Sequence, residues 1–153
     1  MKTRSKDLEI IEDLLDLLIK TEQTFEVPVA ASIYDQEMNL ISQSLNQRET
    51  ANDPTAHAEI CVLRQAGISQ GNWNLEGFSL YITLEPCLMC AGAILQSRVS
   101  RVIFGAFNEK YGAVGSVWDL LRDSRAIYKP EVLSGVLENE CAQLLSDFFT
   151  TKR

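Results

Sequence analysis

Leu8, Ile11, Leu14, Leu15 and Leu18 return every third or fourth position with polar residues between them, so the segment from about 6 to 23 is predicted to be an amphipathic helix. The period then changes. Val27 to Tyr34 and Met38 to Leu45 read as two strands joined by a tight polar turn, Asp35-Gln36-Glu37. Residues 46–56 are polar and broken by Pro54, which marks a loop. A helix follows from about His57, with its stop expected near Gly67. Phe78 to Leu84 alternates β-branched and aromatic residues and is predicted to be a strand, and Cys87 to Ser97 a helix with small residues on one side. Arg101 to Gly105 is short and largely apolar, as suits the inside of a sheet. Val117 to Arg122 reads as a helical turn, and Glu131 to Leu133 as a last strand. Cys141, Leu144, Leu145 and Phe148 place a final helix by their spacing of i, i+3, i+4 and i+7. The order α-β-β-α-β-α-β-(α)-β-α predicts a three-layer α/β fold around a mixed sheet of five strands. No repeat, low-complexity tract or linker divides residues 1–153, so a single domain is expected, long enough to enclose a core.

Composition narrows the setting. Hydrophobic residues make up 46% and charged residues 23%, a globular mixture that argues against disorder. No apolar run approaches the roughly 20 residues that span a bilayer. The basic start, Met1 to Lys6, leads into acidic helical sequence and not into the apolar core of a signal peptide. A soluble, cytoplasmic protein with no membrane association is expected. Four cysteines in no framework-like spacing speak against a secreted disulfide scaffold, and a close pair in a cytosolic chain points to metal or redox chemistry. The net charge of −7 opposes nucleic-acid binding. It is uneven, however: residues 96–130 carry +3, with Arg98, Arg101, Lys110, Arg122, Arg125 and Lys129 against three acids, and the rest carries −10. By charge count alone, a small-molecule substrate is favoured.

Two segments carry the chemistry, His57-Ala58-Glu59 and Pro86-Cys87-Leu88-Met89-Cys90. Two thiolates three residues apart on the first turn of a helix can face one metal ion, and an imidazole supplies a third ligand suited to zinc. The helix N-terminus lowers thiol pKa values, so Cys87 and Cys90 can bind as thiolates. Three ligands leave the fourth tetrahedral position for water, which makes the site catalytic, and water bound there can ionise near neutral pH. Glu59 lies close to the metal without having to bind it. Its expected task is to take the water proton, pass it to a ring nitrogen and then to departing ammonia. The combination H-x-E … P-C-x-x-C is the signature of zinc-dependent nucleobase deaminases. A redox dithiol would leave His57-Ala58-Glu59 without a role. A four-ligand structural zinc using Cys61, at i+4 from His57, is the main rival; otherwise Cys61 and Cys141 are small buried hydrophobes.

Longer runs make the likeness more specific. Asn46, Asp53-Pro54-Thr55-Ala56-His57-Ala58-Glu59-Ile60 and Thr83 to Ile94 resemble the bacterial tRNA-specific adenosine deaminases, within the cytidine/deoxycytidylate deaminase superfamily. So do Ser97-Arg98-Val99, Arg101 to Gly105, Gly112 to Ser116 and the C-terminal stretch from Glu140 to Phe149, and the matches run from Val27 to Phe149. The resemblance implies a cytidine-deaminase-like α-β-α fold, one zinc ion per subunit, and a homodimer. It implies action on the first anticodon base of an arginine tRNA, with adenine flipped into the zinc pocket and converted to hypoxanthine. It also implies that Asn46 contacts the purine edge, that the Ala58 backbone lies against the base, and that Asn108, Lys110 and Phe149 contact the anticodon loop. Each has a plainer alternative: Asn46 capping its loop, Lys110 a solvated charge, Phe149 core packing.

Three departures stand out. Asn108 occupies a position where the family usually has Asp, Ile127-Tyr128-Lys129 replaces a usual Asn-His-basic segment, and Ala30-Ala31 replaces a usual Gly-Ala pair. The methyl added at Ala30 is expected near the base pocket. Two other functions compete: a deaminase of a free base or nucleoside such as guanine or cytosine, and a catalytically silent partner. Glu59 opposes the silent partner. The ending Phe148-Phe149-Thr150-Thr151-Lys152-Arg153, an aromatic pair followed by basic residues, opposes the free-base enzyme because it suits a nucleic-acid surface.

Overall fold

The computed structural model describes residues 2–22 and 25–151, with side chains from Lys6 onward. Gln23, the expected last residue of the first helix, and the Lys152-Arg153 pair lie outside the described residues. In chain order the elements are α1 (Lys2–Thr21), β1 (Ala30–Tyr34), β2 (Leu40–Leu45), α2 (Ala58–Gln70), β3 (Ser79–Leu84), α3 (Leu88–Ser97), β4 (Arg101–Ala106), a 3₁₀ turn (Leu120–Arg122), β5 (Glu131–Leu133) and α4 (Glu138–Thr151). The strands lie in the order β2-β1-β3-β4-β5. β1 runs antiparallel to both β2 and β3, while β3, β4 and β5 are parallel, so the five-stranded sheet is mixed, as expected.

Period-2 alternation sends the strand residues to two cores. Ala31, Ile33, Leu80, Ile82, Val102 and Phe104 pack with Ala58, Val62 and Ala66 of α2 and Ala91 and Ile94 of α3. On the other face, Ala30, Tyr81, Ile103 and Ala106 meet Ile10, Ile11, Leu14 and Leu15 of α1 and Cys141 of α4. The result is helix layer, sheet, helix layer. The Ala30 methyl therefore belongs to the α1–α4 core, on the far side of the sheet from α2. The expectation that it crowds the base pocket is corrected, because strand parity turns it the other way.

A polar clasp ties α1 down. The Tyr81 hydroxyl donates to Asp7 at 2.6 Å, and Arg101 pairs with Asp7 at 3.1 Å and with Glu131 at 3.3 Å. Burial and the Asp7 carboxylate push the Tyr81 phenol well above its ordinary value.

Several boundaries differ from expectation: β1 begins at Ala30 and not Val27, β2 at Leu40 and not Met38, the helical turn at Leu120 and not Val117, and the end of α2 moves as well. α2 continues through Gly67 and stops at Gly71, whose φ of 63° is left-handed. Asn72 N–H donates to the Gly67 carbonyl and Gly71 N–H to that of Ile68, a Schellman closure in which Gly71 is the left-handed residue. Gly67 has room for a helical backbone and needs no special conformation; the nearest atom to a Cβ there is 3.7 Å away.

Candidate active site

Three donor groups converge from two helix starts. His57 is the N-cap of α2, and Cys87 the N-cap of α3, with Cys90 one turn inside it. The His57 side chain makes no capping bond to its own helix and is free to point elsewhere, and Cys87 engages Cys90. His57 and Cys87 point at each other: His57 Nδ1 lies 3.6 Å from Cys87 Sγ and 3.5 Å from Cys90 Sγ. All three ligand atoms fall within 4.8 Å of one another. Zinc held by a tetrahedral N and S pair at ordinary bond lengths separates those atoms by roughly 3.6 Å. The donor set and its spacing fit zinc. Among the described residues this is the group that could hold a metal, and Cys61 is not in it. Burial pushes the Cys61 thiol up, and it sits in the α2 core as a small hydrophobe, which removes the four-ligand rival.

Protons are shared unevenly among the three donors. A hydrogen bond from the Cys90 thiol, reinforced by His57, pulls Cys87 down to about 4. The same interaction, with burial, pushes Cys90 far up, so it keeps the proton of the pair. That proton is the one a divalent cation displaces on binding. His57 is raised chiefly by its bond to Cys87.

Glu59, in the first turn of α2, is 4% exposed, and burial pushes its carboxyl above the usual range. Hydrogen bonding to Cys90 and the nearness of His57 act the other way, which sets the carboxyl beside the donor cluster. Ala58, fully buried, lies between Glu59 and His57 in the chain. Asn46 is buried at the opposite end of the loop that His57 closes. Gln47 N–H donates to the Ala56 carbonyl at 2.9 Å, drawing the two ends together. The Asn46 amide donates to the Val27 carbonyl at 3.3 Å and accepts from Arg48 N–H at 3.2 Å. It thus caps its loop while retaining one N–H and one lone pair.

The residues expected to contact RNA lie apart from this cluster in character. Asn108 is half-buried and Lys110 exposed, both in the tight turn closed by Gly112 N–H donating to the Asn108 carbonyl at 2.8 Å. Phe149 is 54% exposed on α4 and meets Phe148 edge to face, so it is not core packing. Most of the basic stretch is spent internally. Arg101 pairs with Asp7 and Glu131, Arg122 with Asp119, Arg125 with Asp123, and Arg98 lies over the Trp73 ring. Lys110 and Lys129 are the cations of that stretch without an ion pair or ring contact among the described residues. Tyr128 is anchored to Ser100 at 3.0 Å, and Ile127 is fully exposed.

Sequence reasoning gave Glu85 no role, although the structure makes it the hub of residues 108–116. A signal was present: an acid at the end of an apolar strand, followed directly by Pro86-Cys87, has no solvent to face.

The comparisons agree with this geometry. Residues 4–106 match the model of the cytidine and deoxycytidylate deaminase zinc-binding region. A tRNA-specific adenosine deaminase of Haemophilus influenzae is 44% identical over 99% of this chain and 88% of its own. That of Bacillus subtilis is 46% identical over 88% of this chain and 83% of its own. A solved structure from work on A-to-I editing by tRNA:A34 deaminases at the wobble position is 41% identical, with a TM-score of 0.74 over 78% of this chain and 86% of that one. With the zinc donor set and the three-layer fold in place, the chain belongs to the tRNA-specific adenosine deaminases of the cytidine and deoxycytidylate deaminase family.

Proposed function

We propose that this protein hydrolyses adenosine to inosine at the wobble position of a tRNA anticodon, with one zinc ion per subunit held by His57, Cys87 and Cys90. The observation that carries the reading is the enclosed Glu59 carboxyl beside that donor set. Zinc supplies a Lewis acid that makes water a nucleophile near neutral pH. Glu59 takes a proton from the attacking water and gives it to a ring nitrogen. It then moves the second proton to the amino group, which leaves as ammonia while oxygen stays on C6. A carboxyl raised by burial suits a group that must hold a proton between two transfers.

The Ala58 backbone lies against the base, and Asn46 spends its remaining donor and acceptor on the purine edge. Asn108, Lys110 and Phe149 contact the anticodon loop, whose single-stranded bases can be splayed out and stacked. The names of the relatives support tRNA as the substrate. An arginine tRNA and a homodimer follow from the resemblance. No helix among the described residues is long and apolar enough to cross a membrane, and four free cysteines accord with a reducing cytoplasm.

Incubation with total tRNA followed by nucleoside analysis tests the reading. Inosine is expected in an arginine tRNA. Unmodified tRNA together with ammonia release from free guanine or cytosine would favour the free-base reading, which the acidic charge and the self-paired arginines support.

A further inference from the structure

Glu85 takes no part in the chemistry above, yet it is 1% exposed and stands two residues before Cys87. Its backbone extends the sheet, with its N–H donating to the Ala106 carbonyl at 2.8 Å. Its carboxylate turns the other way, into the segment that follows β4. Oε1 accepts from Asn108 N–H at 3.2 Å and from the Ser116 hydroxyl. Oε2 accepts from Val114 N–H at 3.0 Å and Ser116 N–H at 3.1 Å. All four hydrogen-bonding partners are uncharged donors, and three are backbone amides. The side chain therefore recognises the course of the backbone and neutralises no cation.

Other fasteners join the same two segments. Cys87 and Gly112 form an antiparallel bridge, and Ala113 N–H donates to the Pro86 carbonyl at 2.8 Å. Gly112 allows this approach because a Cβ there would overlap both the Glu85 carboxylate and the Asn108 carbonyl. Surface loops commonly leave such N–H groups to water, where they cannot fix the chain. Here they end on a residue that is itself fixed between β3 and the Cys87 cap.

We propose that Glu85 is a positioning residue that holds residues 107–116 in the shape presenting Asn108 and Lys110 to RNA, and that sets this loop relative to Cys87. The inference rests on the RNA-contact reading of Asn108 and Lys110. Asn108 supplies the first of the amides that Glu85 holds and Lys110 lies between it and the second, so losing the carboxylate loosens the stretch at Asn108 and Val114 while the Cys87–Gly112 bridge and the Ala113 bond remain. The loop must then be ordered at the moment of binding, which raises the cost of association. Zinc binding and proton transfer at Glu59 use other groups and stay as they were.

The test uses the zinc-loaded full chain and an anticodon stem-loop RNA. Glu85→Gln keeps the volume but replaces one acceptor oxygen with a donor, so in either amide orientation at least one backbone N–H loses its partner. Retained zinc and kcat within about threefold of wild type are expected, with KM raised on the order of tenfold, as for lost binding at intact chemistry. Amide exchange at Asn108, Val114 and Ser116 should quicken while β3 and β4 stay protected. Gly112→Ala perturbs the same contact from the opposite side and should reproduce the KM rise; Ser116→Ala removes only the hydroxyl bond and should give a smaller one. These two keep the proposal testable should Glu85→Gln not fold. A fall in kcat at unchanged KM, loss of zinc from Glu85→Gln, or unchanged exchange at the three amides would overturn the assignment. If wild type forms no inosine in the hairpin, the RNA reading fails, and the exchange pattern still decides whether Glu85 holds the loop.

Discussion

The donor cluster and the loop at 107–116 meet at Cys87 but are held in place by opposite means. His57, Glu59, Cys87 and Cys90 all project from the first turns of α2 and α3, whose positions are set by apolar packing of Val62, Ala66, Ala91 and Ile94 against the sheet. The loop's buried apolar residues are Ala113 and Val114, and its first residue, Phe107, meets core Phe104 edge to face. Asn108 to Tyr111, the stretch proposed to meet RNA, has no buried apolar side chain and depends on hydrogen bonds, among them Asn108 N–H to Glu85. Reaction chemistry needs groups fixed to fractions of an ångström, and a packed helix start provides that. Recognition of RNA needs exposed side chains, and exposure removes the packing that would otherwise fix them.

The contrast predicts where substitutions bite hardest. The largest effect belongs to the ligands. Cys87→Ala should lose both zinc and measurable turnover, while Cys61→Ala should keep about one zinc per chain, as a three-ligand site requires. Metal analysis of the two purified variants decides it, and zinc lost from Cys61→Ala but kept by Cys87→Ala would sink the ligand assignment.

Next comes Glu59. As a proton carrier that binds no metal, Glu59→Ala should retain zinc and lose roughly 10²–10⁴-fold in kcat, the usual reach of general acid–base catalysis. Near-normal turnover would remove Glu59 from the mechanism. Zinc loss would recast it as a ligand or support.

The same contrast explains what could be read from sequence. Local spacing fixes which donors share a helix start, so H-x-E and C-x-x-C announce the cluster before any tertiary structure is known. Hydrophobic period likewise announces all five strands, because burial selects the residues that form them. What sequence hides is partnership across the chain. Gly67 and Gly71 are both eligible stops for α2, and only the hydrogen bonds of Asn72 and Gly71 choose between them. The basic stretch gave no sign that Arg101 would be claimed by Asp7, 94 positions away. Glu85 is of the same kind, since its partners lie 23 to 31 positions downstream.

Smaller effects belong to the loop. Lys110 is exposed and without an ion pair among the described residues, as expected of a side chain free to meet a phosphate. Lys110→Ala should raise KM several-fold, leave kcat near wild type, and flatten the salt dependence of binding by roughly 0.7 in log–log slope, the share of one phosphate contact on a single strand. An unchanged slope would make Lys110 a solvated charge.

The smallest and most selective effect is expected at Asn108. Its Oδ1 accepts from Tyr111 N–H at 3.1 Å, which turns the amide nitrogen outward as a donor. Asp at this position keeps the cap through one oxygen and turns the other outward as a charged acceptor. Against RNA, that oxygen can accept from a ribose 2′-hydroxyl, and a charge-assisted bond of this kind offsets the repulsion from phosphates. Against DNA there is no hydroxyl, and the repulsion stands alone. Asn108→Asp should therefore raise the ratio of kcat/KM for RNA over DNA, mainly by lowering the DNA value. Matched anticodon hairpins at one fixed salt concentration measure it. An unchanged or lower ratio would mean that the outward face of residue 108 does not meet the sugar, and that the loop held by Glu85 reads RNA through Lys110 alone.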